Sequence, residues 1–431
     1  MSVSTGATSA ELTDPLRILW LKTELLHPVD RGGRIRTYQM LRQLRRAHQV
    51  TYLALDDGGS PPEAVARAEE YCRELVRVPH RLPVRGSMAF NVGALANLLS
   101  PLPYTVTRFR APEMTRRIHE LVRGGRVDVL VCDFLFPSVN VPRDLECATV
   151  LFQHNVEAEI WRRHAEAAGN PAARAYFASQ WRRVRAFEGA QCARYDHVVA
   201  VSEADRELMR RQYGIESVSA IPTGVDVEYF RPGGGGGDGG AREPANLVFT
   251  GAMDWMPNED AMLRFVADTL PRIRRSRPDV TLTVVGRNPP ARLRALAGAT
   301  PGVTVTGGVP DVRPYLERSS VFVVPIRIGG GTRLKIFEAM AMEKPVVSTT
   351  IGAEGLPVRH GVDALLADDP DAFAAAVLEL LANPVRAQRM GMAAAARVRS
   401  EFGWDRVAEQ FSDICARAAR ARRFTSEMEP A

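Results

Sequence analysis

Between Gly329 and Glu338 the chain reads GGGTRLKIFE, which places three glycines, Arg333, Lys335 and Glu338 in one short stretch. That set of residue types suits a phosphorylated ligand. Glycines leading into a helix leave backbone N–H groups unpaired, and the helix dipole favours an anion in front of them. Arg333 and Lys335 add two cations. On a helix Gly331, Lys335 and Glu338 fall near one face, and seven residues at ~1.5 Å put Glu338 roughly 10 Å from the loop, about the reach from a distal phosphate to a ribose. A carboxylate that accepts from two neighbouring hydroxyls holds a ribose diol, so the stretch reads as a nucleoside diphosphate cradle. Its binding candidates are Gly330, Gly331, Thr332 and Glu338, with Arg333 and Lys335 stabilising the diphosphate. The alternative is an ordinary βαβ turn whose glycines serve packing and whose charges are solvated.

The elements around this stretch have the pattern that such a site needs. An apolar strand from Val321 precedes the glycines, a helix is expected over Thr332 to Met342, and Pro345 closes it ahead of a strand at Val346. Near the N-terminus LRILWLK (Leu16 to Lys22) reads as a strand, and Gly32 and Gly33 then lead into a helix. CATVLFQ (Cys147 to Gln153) is a further strand followed at once by His154. Ligand groups in open α/β sheets gather at the carboxyl ends of strands, so His154 is placed for chemistry. Of the acids that follow, Glu157 suits the positive end of a helix and Glu159 suits solvent. Later, NLVFT ends at Gly251 before a helix expected to be capped near Asn258, and VTLTVV ends at Gly286.

With 431 residues, 45% hydrophobic and 25% charged, the chain has the make-up of a folded globular protein with room for two α/β domains. No run of 18 apolar residues is present, and the polar start MSVSTGATSAELTDP has no apolar core of a secretory signal. Five scattered cysteines without metal-ligand spacing fit buried thiols in a reducing cytoplasm. The net charge is only +6, yet Arg77 to Arg126 holds nine Arg against two Glu. Such a basic segment suits an anionic membrane, met peripherally, or a phosphorylated acceptor; a solvated arginine-rich face is the alternative. Within it, Arg85 to Ala111 mixes apolar and basic residues without clean periodicity and reads as a helix-and-loop insertion that either meets lipid or packs on the core.

GGGTRLK and the glutamate after it resemble the donor site of the retaining glycosyltransferases of group 1 (family 4), which have the GT-B fold. HNVEAEIW resembles the family's mid-domain histidine, and Thr223, Gly224, Val225 and Asp226 resemble its Asn-Gly-Val-Asp signature. The resemblance implies an α/β fold of two Rossmann-like domains facing across a cleft, with the C-terminal helix crossing back to the first. Expected boundaries are a disordered 1–15, an N-terminal acceptor-side domain at 16–230, a glycine-rich linker at 231–245, a donor domain at 246–402 and the returning helix at 403–431. It implies that Glu338 contacts the ribose, His154 lies near the donor sugar, Gly32 and Gly33 touch the diphosphate or acceptor, and Gly251, Gly286, Arg287 and Val309 belong to the donor site. Arg34 and Arg36 accompany the first glycine pair. Many members carry a second glutamate where this chain has Gly330, so a backbone amide of Gly330 or Gly331 is expected to replace it. Met253, Asp254 and Trp255 stand where relatives place cations, which leaves the diphosphate to Arg333 and Lys335.

The reaction that the resemblance implies is transfer of a sugar from a nucleotide-diphosphate sugar to a hydroxyl acceptor with retention, in polysaccharide or glycolipid biosynthesis. No metal or cofactor is expected beyond the nucleotide sugar as co-substrate, since no Asp-x-Asp stands at a strand end. At 4 Å and an effective dielectric of 20, each cation supplies on the order of 4 kcal/mol of attraction to the diphosphate. The basic segment favours a lipid-linked or surface polysaccharide acceptor, with a small natural product open, and no nucleic-acid partner is expected. A nucleotide-sugar epimerase and a non-catalytic binding subunit remain alternatives. A nicotinamide enzyme is disfavoured because the first βα turn lacks Gly-x-Gly-x-x-Gly.

Overall fold

The computed structural model of the chain describes residues 14–29, 32–84, 86–234, 243–328 and 333–428. Two compact units are present, Met1–Ile221 with Ala408–Ala431, and Pro222–Val407. The chain changes unit ahead of the glycine run, of which 235–242 lie outside the described residues.

In the first unit the order is β1 (Arg17–Lys22), α1 (Gly32–Leu44), β2 (Gln49–Asp56), α2 (Pro62–Ala66), β3 (Glu74–Pro79), α3 (Met88–Ala96), α4 (Tyr104–Thr107), α5 (Pro112–Arg123), β4 (Val129–Asp133), β5 (Ala148–Phe152), α6 (Glu157–Ala167), α7 (Pro171–Arg194), β6 (His197–Ala200), α8 (Glu203–Tyr213) and β7 (Val218–Ala220). Its seven strands pair in parallel in the order β3-β2-β1-β4-β5-β6-β7. Parallel strands covered on both faces need continuous apolar runs, and β4, VLVCD, buries every residue. The order reverses between β1 and β4, and such a switch point opens a crevice at the strands' carboxyl ends. Lys22 ends β1, Asp133 ends β4, and His154 follows β5.

The second unit continues with β8 (Asn246–Thr250), α9 (Met256–Arg264), α10 (Leu270–Ser276), β9 (Thr281–Val285), α11 (Ala291–Ala299), β10 (Val303–Val305), α12 (Arg313–Arg318), β11 (Val321–Val324), α13 (Leu334–Ala341), β12 (Val346–Ser348), β13 (Leu365–Leu366), α14 (Pro370–Ala382) and α15 (Pro384–Glu401). The parallel sheet is ordered β10-β9-β8-β11-β12-β13, so its switch point lies between β8 and β11. Gly251 leaves β8 there, and the loop from β11 leads to α13.

The last helix, α16 (Trp404–Met428), begins in the second unit, where a Cβ on Gly224 would sit 2.5 Å from the Trp404 ring. From Ala408 it belongs to the first unit, as the GT-B resemblance implies; Phe411 packs on Trp20 and Phe152 at centroid distances of 5.4 and 5.1 Å. The five cysteines are buried and unpaired, as expected. Among the described residues no helix is long and apolar enough to cross a membrane. One helix is shorter than its pattern. PEAVARAEEYCRE gives α2 and then a tight turn over Arg67–Glu70, because Tyr71 and Cys72 turn into the core before β3.

Candidate functional site

In the first unit the carboxyl ends of β1, β4 and β5 converge on Asp133. Its Oδ2 accepts from Trp20 Nε1 at 3.0 Å, Lys22 Nζ at 2.7 Å and Thr37 Oγ1 at 2.6 Å. Its Oδ1 lies 2.8 Å from His154 Nε2, near enough for an ion pair but poorly aligned for a hydrogen bond. Burial alone would raise the Asp133 pKa, but Lys22 and His154 outweigh it and hold the carboxyl well below its ordinary range. His154 is pushed down to about 4, mainly by burial and against the pull of Asp133, so it is neutral at pH 7.

The residue after Asp133 fixes the histidine's other side. Phe134 has φ 76, a left-handed conformation in which a bulky side chain rarely rests, and its ring stacks on His154 at 3.9 Å. A Cβ on Gly33 would lie 3.1 Å from that ring, so the glycine is what lets α1 approach it. Gly32 faces open space. Beside this cluster a pocket of about 460 Å³ is lined by Lys22, His27, Arg34 and His80, with Phe109 and Phe136 among its apolar walls.

Two expectations are corrected here. Glu157 does not serve as an ionised helix-end charge: burial, with Glu188 nearby, pushes it up to about 8. The carboxylate at that helix end is Glu188 of α7, which accepts from the backbone N–H groups of Glu157 and Ala158 at 2.9 Å each. Glu159 is not solvated but accepts from Arg162 at 2.8 Å and Gln212 at 2.9 Å. Arg36 follows Gly33 on α1. It is buried near Asp133 and Asp205, and burial pushes it down to about 10.

In the second unit the switch point brings β8, β9 and α13 together. Lys335 Nζ donates to Asn258 Oδ1 at 3.0 Å and sits 4.0 Å from the centre of the Phe249 ring. A Cβ on Gly251 would lie 2.6 Å from Lys335 Nζ, and one on Gly286 only 1.7 Å from the Gly251 carbonyl oxygen. Gly286 is therefore required by close approach to backbone, and Gly251 by its φ of 155. The Arg333 guanidinium lies over the Trp255 ring, 4.8 Å from its centre. Arg287 adjoins through its carbonyl, which accepts from the Met253 N–H at 2.9 Å, while Val309 packs on the unit's core.

Burial, with Arg333 adding to it, pushes Lys335 down to about 7 against the pull of Glu338, and burial pushes Glu338 up to about 7. The helix starts later than its pattern suggests: α13 begins at Leu334 with Arg333 as the flanking residue. Gly330, Gly331 and Thr332 lie outside the described residues. Asn258 is not a cap either. Trp255 flanks α9, while the Asn258 amide is turned to Lys335 and to the Ala252 carbonyl, at 2.8 Å.

Lys22, Thr37, Asp133, Phe134 and Asn258 were not among the sequence candidates. The available signal was a charged residue closing an otherwise apolar strand, as in LRILWLK and VLVCD, since burying a charge needs a partner.

Family models match both halves of the chain. A family model described as Glycosyltransferase Family 4 matches residues 31–229, and one described as Glycosyl transferases group 1 matches 244–383. D-inositol 3-phosphate glycosyltransferase of Streptomyces bingchenggensis is 30% identical over 255 residues, 53% of this chain and 54% of that protein. The GDP-mannose-dependent alpha-(1-6)-phosphatidylinositol monomannoside mannosyltransferase of Mycobacterium tuberculosis is 32% identical over 242 residues, covering 51% and 61%. The chain thus spans about half the length of the curated relatives it matches. Among solved structures, sucrose-phosphate synthase from Thermosynechococcus elongatus superposes with a TM-score of 0.68 at 18% identity, covering 94% of this chain and all of that one. Anabaena HepE in complex with UDP gives 0.66 at 13%, covering 92% and 99%. The chain belongs to the group 1, family 4 glycosyltransferases and has their GT-B fold.

Proposed function

We propose that the protein transfers a sugar from a nucleotide-diphosphate sugar to a hydroxyl acceptor with retention at the anomeric carbon. The observation that carries this reading is the gathering of Lys335, Asn258 and the close-packed Gly251 and Gly286 at the switch point of the second unit, with Arg333 held on Trp255. Arg333 and Lys335 neutralise the departing diphosphate, and Glu338 takes the ribose hydroxyls. The departing phosphate oxygen receives the acceptor's proton on the face that it leaves, so no covalent sugar–protein intermediate forms. His154, neutral and fixed between Asp133 and Phe134, hydrogen-bonds the sugar instead of attacking it. No metal enters the scheme.

The pocket beside Lys22 is assigned to the acceptor. Glu24 and Asp57 also line it, and its Lys22 and Arg34 are paired with Asp133 and Glu24, so its polar groups suit a hydroxyl-rich acceptor and its phenylalanines an apolar portion. The names of the relatives, an inositol phosphate glycosyltransferase and a phosphatidylinositol mannoside mannosyltransferase, favour a glycolipid or polyol acceptor. Peripheral contact with an anionic membrane accompanies it.

The test is turnover of a nucleotide sugar with and without acceptor, in the presence of chelator, followed by determination of the product's anomeric configuration. A retained glycoside formed only with acceptor is expected. An inverted product overturns the mechanism, and conversion of the donor without acceptor replaces the reading with an epimerase.

Nucleotide binding should depend on pH through the Lys335–Glu338 pair, which titrates as a unit. Lys335 sits near 7, so the free site sheds its cation above neutrality; an anionic diphosphate favours the charged form, and binding then takes up a proton. Affinity therefore falls above pH 7, by up to about tenfold per unit for one proton. Below neutrality Glu338, also near 7, is protonated and accepts less well from the ribose, so affinity falls there too. Calorimetric titration in buffers of different ionisation enthalpy checks the sign; an affinity unchanged from acid to alkaline conditions would contradict it.

A further inference from the structure

The segment after β3 carries an apolar surface that nothing in the first unit covers. Helix α3 spans nine residues and buries none of them. Met88, Val92, Leu95 and Leu99, spaced as one helical stripe, are 82, 60, 69 and 94% exposed, and Val84 just before them is 76% exposed. The opposite side of the helix is already packed. The Phe90 ring meets Tyr104 edge-on at 5.2 Å, and a Cβ on Gly93 would lie 2.7 Å from the Tyr104 hydroxyl. Below it, Asn97 donates to the Leu102 carbonyl at 3.0 Å, and Arg183 of α7 donates to the carbonyls of Asn97 and Leu98 at 2.8 and 2.9 Å. The stripe is therefore not a core face that has missed its partner within the unit; the core-facing side is a different one.

We propose that this stripe inserts into the interfacial layer of an anionic lipid bilayer. Three features select that occupant. Helix α3 presents its apolar stripe to the outside with only Asn91 as an exposed polar residue, and it is far short of the about 20 residues that span a bilayer, so it lies in the interface plane. No charged residue occurs from Gly86 to Thr107, whereas Arg81 and Arg110, which bracket the segment, are exposed, and Arg108 lies over the Phe90 ring at 5.8 Å. Cations around an apolar stripe complement anionic headgroups. The third feature is continuity with the pocket, since His80 and Leu82 line it and Leu82 stands two residues before Val84. A lipid-linked acceptor can place its headgroup in the pocket while its tail stays in the layer that holds the stripe. This last feature rests on the acceptor reading above; the first two do not.

The test is co-flotation of the full chain with vesicles of phosphatidylcholine alone and of phosphatidylcholine with phosphatidylglycerol, with no donor or acceptor present. The wild type is expected to float with the anionic vesicles and to be released by high salt. Leu95→Glu with Leu99→Glu, both at exposed positions, is expected to lower that partitioning by roughly tenfold or more while the melting temperature and nucleotide binding stay unchanged. Wild type that ignores anionic vesicles, or a double variant that floats as well as wild type, overturns the proposal. So does a wild type that dimerises through this face without lipid while the double variant is monomeric. Because nucleotide binding and sugar transfer are read separately, a chain that floats but transfers nothing removes the proposed function and leaves the lipid surface standing.

Discussion

Asp133→Ala is expected to cost the first unit about 3–5 kcal/mol of stability, the range for removing one partner of a buried ion pair. Asp133 is fully buried and Lys22 is 1% exposed, so the variant leaves an ammonium inside the fold with no counter-charge. It also orphans the Trp20 indole N–H, which now donates to the carboxylate, whereas the Thr37 hydroxyl keeps the Gly33 carbonyl at 3.0 Å as an acceptor. Asp133→Asn keeps the shape but not the charge, and should fall between the two. Lys22→Met combined with Asp133→Ala should regain part of the loss, because the stranded cation is then gone. The pH dependence has a definite sign: a folded-state pKa held below the ordinary carboxylate range contributes stability above that range, and this is lost in strong acid as Asp133 protonates. Denaturant titration of the three variants measures all of this. An Asp133→Ala chain within about 1 kcal/mol of wild type would mean that the cluster does not hold the strand ends together, since that lies below the range for a broken buried pair.

Arg333→Ala with Lys335→Ala is expected to reduce sugar transfer by more than the 10²–10³-fold on the order of which a single preorganised charge-stabilising donor contributes. The two cations act on the same developing charge, so the single variants should not add up to the double. Each also has a structural neighbour to lose. Arg333 leaves Trp255 without its stacked guanidinium, and Lys335 leaves Asn258 without its donor. A melting curve beside the rate measurement separates those effects. Transfer that survives the double variant, in a chain that melts normally, would remove these residues from the mechanism.

Both Rossmann-like units were legible in the sequence, because parallel buried strands are written as continuous apolar runs and their helices are bounded by glycine, proline and capping residues. LRILWLK became β1, CATVLFQ became β5, and NLVFT became β8 ahead of Gly251. What escaped were short pieces and long-range pairings. β7 is three residues long, too few to show a period. Asp133 and Lys22 stand 111 positions apart, and Asn258 and Lys335 stand 77 apart, so only the fold puts them in contact. Glu157 shows the same limit. A carboxylate beside a helix start reads as a dipole partner, but Glu188, 31 positions on, had already taken the backbone N–H groups.

The measurement that bears most directly on the donor site is thermal denaturation with a panel of nucleoside diphosphates and their sugars in the presence of chelator, for wild type and Glu338→Ala. A nucleotide at 100 times its dissociation constant adds about 2.7 kcal/mol to the folded state, which moves the transition by a readable amount. The expected result is stabilisation by one nucleotide family without metal, abolished by Glu338→Ala at an unchanged unliganded melting temperature. Stabilisation that needs a divalent cation, or that is the same in both chains, would contradict a metal-free nucleoside diphosphate cradle at the head of α13.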